Sequence, residues 1–259
     1  MELEKIKKFI VQWINDYAKK NCIKNLIVGI SGGIDSALTS TLCAMTGINT
    51  KVVSLPISQS KNELENAIKH MNWLKANYQN IQTTTIELSE VLATYQNIIP
   101  KNYHSDLGFA NTRARIRMMT LYQIASTHNG IVVGTGNKIE DFGIGFFTKY
   151  GDGGVDISPI ADLTKSEVRK LAKFCGIIPG IITAKPTDGL WKDGRTDEDQ
   201  IGATYEELEW AMDFQSNTET TNREKKVLNI YKALNNKNKH KMEPIPICKI
   251  PLKKKKVNV

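Results

Sequence analysis

The strongest constraint on the fold of this chain is a glycine-rich turn, GISGGIDS at residues 29–36. It overlaps the end of the run NLIVGI at 25–30, which is short, apolar and rich in β-branched residues, as a strand buried in a parallel sheet is. The segment SALTSTLCAMTG after the turn has helical character and stops at Gly47. A strand, a glycine turn and a helix in this order indicate one βα unit of a doubly wound sheet.

The same alternation continues along the chain. Beyond the first strand we expect strands at 51–56, 81–88, 131–137 and 155–158, and helices at 2–20, 62–78, 89–98, 107–128, 203–214 and 219–235. Another helix is expected after Thr164, an N-cap with Glu167 at capping-box spacing, and it should end at Gly176. The pattern predicts an α/β fold, a Rossmann-like open parallel five-stranded sheet flanked by helices on both faces.

Two segments carry finer expectations. In the helix at 107–128, the side chains expected to face the sheet are Ile116, Met119, Tyr122 and Ile124. The segment 177–202 is rich in Gly, Pro and Asp and is expected to be a long, partly ordered loop. Long loops in compact domains often close over a site, so this loop, with Asp188 and the acidic run at 196–199, is a candidate lid.

Size and composition are those of an ordinary globular protein. The chain has 259 residues, of which 41% are hydrophobic and 24% charged, and we expect one domain spanning 1–259. It contains neither an apolar run long enough for a membrane span nor the pattern of a secretory signal. Its four cysteines, Cys22, Cys43, Cys175 and Cys248, are scattered singly, as reduced thiols in a cytoplasmic protein are. We therefore expect a cytoplasmic protein.

The formal net charge of +8 leaves two kinds of partner open. Much of the excess lies in the C-terminal tail and near residue 240, where a lysine run is usually solvated surface. Positive charge suits a nucleic-acid partner, but it equally suits an enzyme whose substrates are polyphosphates, because it concentrates anions near a cleft. Charge alone does not separate these two classes.

The glycine turn has the chemistry of a phosphate site. Its glycines let the backbone approach a phosphate, its amides attract an anion, and Ser31 and Ser36 can donate to phosphate oxygens. It lacks the ending of a Walker A loop and the spacing of a dinucleotide fingerprint. Asp35 would repel a phosphate unless a cation lay between them, so the turn predicts Mg²⁺ bridging this carboxylate and the phosphates.

Two motifs carry a family resemblance. The pattern SGGxDS resembles the pyrophosphate loop of N-type ATP pyrophosphatases, which adenylate an acceptor while cleaving ATP to AMP and pyrophosphate. The stretch GTGNKIEDFGIGFFTKYGDGGVDISPIADLTK at 134–165 closely resembles the central motif of NAD synthetases. Together with NTRARIRM at 111–118 and KPTDGLW at 185–191, the resemblance covers nearly the whole chain.

The resemblance implies a set of site residues, and some have competing explanations. Asp35 and Glu140 would share the metal, although Glu140 could instead be a surface acid at a helix start. Asp35 and Lys165 are the implied catalytic residues, with Lys165 as a cation on the ATP phosphates; the alternative is an exposed first-turn lysine. The implied ATP-binding residues are Gly29, Ile30, Ser31, Gly32, Gly33, Ile34, Asp35, Ser36, Thr135, Lys165 and Thr187.

On the substrate side the resemblance implies contacts with deamido-NAD, whose pyrophosphate, ribose hydroxyls and carboxylate suit basic and acidic side chains. These residues are Arg115, Lys149, Asp156, His240 and Lys241. The neighbouring Arg113 and Arg117 do not match the family's substrate position and are expected to be solvated or ion-paired. Phe146 and Phe147 either stack on a base or belong to the core.

The implied reaction is the last step of NAD biosynthesis. ATP with Mg²⁺ adenylates the carboxylate of deamido-NAD, and ammonia displaces AMP to give NAD. The resemblance begins almost at Met1, so we expect no glutaminase domain and ammonia as the nitrogen donor. It also implies a homodimer, with small-molecule substrates, no nucleic-acid partner and no membrane association. Two rival functions stay open: a tRNA-modifying adenylase and a nucleotide-binding module without catalysis.

Overall fold

A computed structural model describes residues 3–58, 61–184, 186, 196–215 and 219–250. Its centre is a parallel sheet of four strands, β1 (Asn25–Ile30), β2 (Asn49–Ser54), β3 (Ile81–Thr85) and β4 (Gly130–Val133), in the order β3-β2-β1-β4. The strand order reverses between β1 and β4, which are adjacent in space but separated in the chain. In open α/β sheets, ligands bind beyond the carboxyl ends of the strands at such a reversal.

The prediction of a fifth strand at 155–158 was wrong. Within the described chain this segment makes one parallel bridge, between Val133 and Ile157. The reason lies in Asp156, whose carboxylate Oδ2 accepts the Val132 amide hydrogen at 2.7 Å. A regular neighbouring strand would accept that hydrogen with a backbone carbonyl. The side chain therefore replaces the backbone at this edge, and the ladder stops after one bridge.

Helices surround the sheet. They are α1 (Leu3–Lys20), α2 (Ile34–Met45), α3 (Lys61–Asn77), α4 (Ser89–Ile98), α5 (Asp106–Thr127), α6 (Lys165–Phe174), α7 (Pro179–Ile182), α8 (Asp197–Ile201), α9 (Tyr205–Asp213) and α10 (Asn222–Met242), with a 3-10 turn at Lys101–Tyr103 and a π-helix at Ile139–Ile144. The predicted capping box of α6 is confirmed, because the Thr164 side chain accepts from the Glu167 amide and Glu167 bonds back. None of the described helices is long and apolar enough to cross a membrane.

The segment 177–202 is not one continuous loop. Its described part contains α7 and α8, and α8 begins with a second capping box formed by Thr196 and Asp199. The acidic run at 196–199 thus forms the first turn of a helix, where carboxylates meet unpaired amides and the positive end of the helix dipole. Asp188 of the candidate lid lies outside the described residues.

The sheet has a hydrophobic cluster on each face, because successive strand residues point to opposite sides. Leu26 and Val28 of β1 belong to the cluster under α1, α2, α3 and α6, while Ile27 belongs to the cluster under α4 and α5. Burying one such side chain stabilises the fold by about 1.5–3 kcal/mol. A third cluster joins the π-helix, α9 and α10 beside the carboxyl edge of the sheet. The expectation of helices on both faces is confirmed.

Met119 on α5 was wrongly predicted to face the sheet, since it is 61% exposed. The buried stripe of α5 passes instead through Met118 and Leu121, one position away. Ile116 is buried as predicted, and Tyr122 and Ile124 are half-buried against the same cluster. A sequence period locates the face of a helix to about one residue, and here packing against the sheet decides the choice between Met118 and Met119.

Candidate active site

The glycine turn connects β1 to α2 at the carboxyl edge of the sheet. Ser31 and Ser36 close it: their hydroxyl oxygens lie 3.1 Å apart, and the Gly33 amide donates to Ser31 Oγ at 3.1 Å. Gly32 has φ +91°, and a Cβ there would lie 2.2 Å from the Glu63 carbonyl oxygen. Both conditions require glycine. The turn is therefore held in shape by its own hydroxyls before any ligand binds.

Three charged side chains meet next to this turn, and we call Asp35, Glu140 and Lys165 the carboxylate–lysine cluster. Lys165 Nζ lies 2.6 Å from Asp35 Oδ2 and 3.0 Å from Glu140 Oε1. The lysine side chain is 3% exposed and each carboxylate side chain 17%. The alternatives of an exposed Lys165 and a surface Glu140 are thereby excluded. Asp35 lies in the first turn of α2, Glu140 in the π-helix that follows β4, and Lys165 is the first residue of α6.

Asn137 fixes the relation between two members of this cluster. Its Nδ2 donates to Asp35 Oδ1 at 3.1 Å, while its Oδ1 accepts from the Ile139 and Glu140 amides, both at 3.1 Å. The same side chain thus caps the π-helix that carries Glu140 and holds the carboxylate of Asp35. Sequence reasoning missed this role, although an asparagine directly before a helix start is a capping signal.

The electrostatics of the cluster keep its lysine charged. Burial lowers the pKa of Lys165, but the charges of Asp35 and Glu140 outweigh burial and raise it above its usual value. Burial raises the pKa of Asp35 despite the neighbouring ammonium. Burial also acts to raise the pKa of Glu140, but Lys165 and the Tyr205 hydroxyl bring it below its usual value. The cluster therefore holds a fixed ammonium against an ionised Glu140 in a desolvated setting.

Tyr205 contacts the cluster from α9 and was not singled out from the sequence. Its hydroxyl donates to Glu140 Oε1 at 2.5 Å and lies 3.3 Å from Asp197 Oδ2. Its ring centroid lies 4.7 Å from Lys165 Nζ, within the range of a cation–π contact. The sequence around it signals only a helix start, through Thr204 and Glu207. Nothing in that pattern indicates where the hydroxyl points.

Arg115, Lys149, His240 and Lys241 are linked by hydrogen bonds to backbone carbonyls, and we call them the basic surface. Arg115 donates through Nε and Nη2 to the Lys149 carbonyl, both at 3.3 Å. Lys149 Nζ donates to the His240 carbonyl at 2.8 Å, and Lys241 Nζ to the Phe147 carbonyl at 2.7 Å. The predicted substrate residues from α5, the loop after the π-helix and the end of α10 are thus brought into one region.

Asp156 differs from the other predicted substrate residues in its contacts. Besides the Val132 amide it accepts the Tyr122 hydroxyl at 3.1 Å, so both carboxylate oxygens have partners. It also lines a surface cavity of about 560 Å³ together with Trp13, Tyr17 and Phe142. That volume is within the range of small-molecule sites. Asp156 therefore has a structural role at the sheet edge and borders a cavity large enough for a ligand.

Two further carboxylates, Asp141 and Asp152, were not assigned from the sequence; Asp141 is half-buried, whereas residue 152 as a whole is exposed. Burial and the charge of Glu140 raise the pKa of Asp141 to about 8, and the Asp141 carboxylate lies against Gly136. Burial raises the pKa of Asp152 to about 6, although the Thr148 amide bonds to it and Lys241 opposes the shift. A π-helix turn, which is common at functional sites, presents Glu140 and Asp141 in succession.

Four residues named from the sequence have not yet been placed: Thr135, Thr187, Phe146 and Phe147. Thr135 follows β4 at the carboxyl edge, as an ATP contact there requires, while Thr187 lies outside the described residues. Phe146 packs in the third hydrophobic cluster, which favours the core alternative for that ring. Phe147 lies under Lys241 Nζ, whose distance to the ring centroid is 4.9 Å.

The carboxylates of the cluster fit the chemistry of a hard divalent cation. Mg²⁺ prefers carboxylate oxygens supplemented by phosphates and water, and needs only one or two protein ligands. Asp35 and Glu140 each direct a carboxylate oxygen at the same positive group, the Lys165 ammonium. The pair of carboxylates is therefore already arranged around a cation. Among the described residues no group of three or more His, Cys, Asp or Glu side chains is arranged as a complete metal site. The donor set therefore suits a cation shared with a phosphate ligand.

Comparisons of the sequence and of the structure with known proteins point to the same family. A sequence model of NAD synthase matches residues 6–245. An NH(3)-dependent NAD(+) synthetase from Methanococcoides burtonii is 40% identical over 216 residues, covering 81% of this chain and 78% of that protein. Among solved structures, an NMN synthetase from Francisella tularensis has a TM-score of 0.87 at 30% identity, covering 96% of this chain and 100% of that one. An NH3-dependent NAD synthetase from Campylobacter jejuni has a TM-score of 0.76 at 28% identity, with the same coverage.

Proposed function

Because the chain belongs to the NAD synthase family, we propose that it is an ammonia-dependent NAD synthetase. It uses ATP to adenylate the carboxylate of deamido-NAD, and ammonia then displaces AMP to give NAD. The observation that carries this proposal is the convergence of Asp35, Glu140 and Lys165 beside the glycine turn. A protein that only binds a nucleotide has no need for an ion-paired, desolvated cluster at the point where pyrophosphate would leave.

The residues of the chain supply positioning and charge. The amides of the glycine turn and the first turn of α2 attract the phosphates of ATP. Lys165 is already ammonium before ATP binds, so it can neutralise charge that develops on the pyrophosphate without reorganising. Removing one such preorganised group typically costs about 10²–10³ in kcat. Asp35 and Glu140 would hold Mg²⁺, which when bound neutralises the phosphates.

The basic surface is the proposed site of the acceptor. Arg115 and Lys149 would meet the anionic groups of deamido-NAD, with His240 and Lys241 beside them. Within the described part of the chain, the side chains of Arg115, Lys149 and Lys241 each donate to a backbone carbonyl. Each can therefore exchange a neutral partner for a phosphate or carboxylate. Asp156 would accept from a ribose hydroxyl at the rim of the cavity it borders. We propose Thr135 and Thr187 as further ATP contacts.

A second acceptor is favoured by a specific observation. The NMN synthetase from Francisella tularensis has a TM-score of 0.87, whereas the NAD synthetase from Campylobacter jejuni has a TM-score of 0.76. The second candidate function is therefore amidation of nicotinic acid mononucleotide to give NMN, with the same adenylation chemistry. The two functions differ in whether the AMP half of the dinucleotide is needed.

We also propose that the chain acts as a single-domain, cytoplasmic homodimer. The support for a dimer is the outer surface of α1, where Phe9 is 71% and Trp13 40% exposed. Large exposed apolar side chains close together are typical of interaction surfaces. Light scattering of the purified protein would measure the mass directly, and a mass of one chain at micromolar concentration would rule the dimer out.

The test of function is a product assay with purified protein, ATP and Mg²⁺. Deamido-NAD and nicotinic acid mononucleotide are supplied in separate reactions, each with ammonium or glutamine, and AMP, pyrophosphate, NAD and NMN are quantified. We expect NAD from deamido-NAD with ammonium, at least tenfold faster than NMN from the mononucleotide. The reverse preference would establish the second candidate, and absence of both products would overturn the assignment.

Two matched variants locate the chemistry. Asp35→Asn keeps the shape of a cluster side chain and removes its charge, and we expect at least a 100-fold loss of product formation. Asp213→Asn makes the same change at an exposed position at the end of α9 and should leave the rate unchanged. Equal rates for the two variants would show that the metal and phosphate site lies elsewhere.

A further inference from the structure

Tyr205 is completely buried, with 0% of its surface exposed, and its hydroxyl lies between two carboxylates. The distance to Glu140 Oε1 is 2.5 Å and the distance to Asp197 Oδ2 is 3.3 Å. A phenol has one hydrogen to donate, so at any moment it serves one of these acceptors fully. The shorter distance assigns that hydrogen to Glu140.

Glu140 Oε1 therefore accepts two hydrogen bonds. One comes from Lys165 Nζ at 3.0 Å and the other from the Tyr205 hydroxyl. The Tyr205 ring also lies under the same ammonium, at 4.7 Å from its centroid. The Tyr205 side chain thus contacts both the carboxylate and the cation. A mutation that removes only the hydroxyl can separate its contribution from that of the ring.

Asp197 connects this arrangement to α8. Asp197 is the first residue of that helix and is 6% exposed, and its amide donates to the Pro186 carbonyl at 3.1 Å. The backbone of Tyr205 is tied to the same helix, because its amide donates to Glu198 Oε1 at 3.0 Å. Tyr205 is therefore bonded to the start of α8 through its backbone amide and to the cluster through its hydroxyl.

We infer that Tyr205 is a positioning residue for the amidation proposed above: its hydroxyl fixes the orientation of the Glu140 carboxylate, and the bond from its backbone amide to Glu198 ties it to α8. Residues that orient a ligand side chain through a hydrogen bond commonly change metal affinity or activity 10- to 100-fold when mutated. Tyr205 does not touch the reacting atoms. It acts through Glu140, and this inference rests on the proposed function only for its activity readout.

The test removes the hydroxyl and keeps the ring, with Tyr205→Phe. The matched control is Tyr231→Phe, the same change at a tyrosine that packs half-buried in the same third hydrophobic cluster. Two quantities are measured for each protein: kcat and KM for deamido-NAD with ammonium, and Mn²⁺ affinity by electron paramagnetic resonance with a non-hydrolysable ATP analogue. The Mn²⁺ measurement does not depend on which acceptor the enzyme uses.

We expect Tyr205→Phe to lower kcat and Mn²⁺ affinity by about 10- to 100-fold while KM for deamido-NAD changes less than about twofold. Tyr231→Phe should match the unaltered protein in both. Unaltered Mn²⁺ affinity in Tyr205→Phe would overturn the inference, and so would a loss of the same size in Tyr231→Phe. If the unaltered protein forms no NAD but Tyr205→Phe weakens Mn²⁺ binding, the proposed function fails and the positioning role stands.

Discussion

The carboxylate–lysine cluster and the basic surface are neighbouring regions, but their charges are held in opposite ways. In the cluster, opposite charges contact one another directly and the lysine is 3% exposed. On the basic surface, Arg115, Lys149 and Lys241 bind neutral backbone carbonyls, and Arg115 and His240 are exposed. The cluster balances its positive charge with its own carboxylates. On the basic surface, the hydrogen bonds of the cations to backbone carbonyls leave the positive charge unbalanced at those bonds.

This difference separates two tasks. Catalytic electrostatics are effective when dipoles and charges are fixed before the reaction, in a site with little water. Capture of a large anionic ligand requires charge that can exchange a weak partner for a stronger one, as a cation bound to a carbonyl does when a phosphate arrives. Changes in the cluster should therefore lower kcat, whereas changes in the basic surface should raise KM. The predictions below test that division.

The largest effect is expected for Lys165→Met. It leaves Asp35 and Glu140 facing each other without their cation, and uncompensated buried charge typically costs about 3–5 kcal/mol of stability. We expect kcat to fall by about 10²–10³ and the urea midpoint of unfolding to fall clearly. Lys170→Met, an exposed lysine on the same helix, is the control for both measurements. A kcat within tenfold of the unaltered enzyme would contradict the assignment of the cluster to catalysis.

An intermediate effect is expected for Arg115→Ala. The guanidinium lies at the exposed edge of the basic surface, so its loss removes ligand binding without opening a buried site. We expect KM for deamido-NAD to rise about tenfold, with kcat and KM for ATP changed little, which is the signature of uniform binding. Arg115→Lys keeps the charge and loses the planar guanidinium, so its KM for deamido-NAD should lie between those of Arg115→Ala and the unaltered enzyme. A fall in kcat at unchanged KM would place Arg115 with the cluster and break the comparison.

The sequence predicted the parts of the site that depend on the order of elements. Parallel strands end at one edge, so a turn after β1 and a motif after β4 had to converge, and Asp35 and Glu140 do. It did not predict Tyr205 or Asn137, because their roles depend on where a side chain points across the interface of two elements. The missing fifth strand has the same origin, since a side chain of Asp156 took the place of a backbone partner.

The smallest effect tests the boundary between the two regions, at Asp152. Burial raises the pKa of Asp152 to about 6 from an ordinary value of 3.8, with Glu140 raising it further and Lys241 opposing the shift. The folded state thus binds this proton more tightly than the unfolded state, so its contribution to stability is complete below about pH 4 and is lost as pH rises to about 6. Asp152→Asn cannot ionise and escapes that loss, while its amide oxygen can still accept from the Thr148 amide.

We therefore expect Asp152→Asn to gain stability relative to the unaltered protein as pH rises from 4 to 7, by no more than about 1 kcal/mol, because the residue as a whole is exposed and solvent screens much of the shift. Urea unfolding at pH 4.5 and pH 7.5 measures the difference, and the exposed Asp213→Asn should give the same offset at both values. Parallel pH profiles for Asp152→Asn and the unaltered protein would show that the Asp152 carboxylate is solvated. In that case the desolvated region around the carboxylate–lysine cluster does not extend to residue 152, and Asp152 belongs with the basic surface.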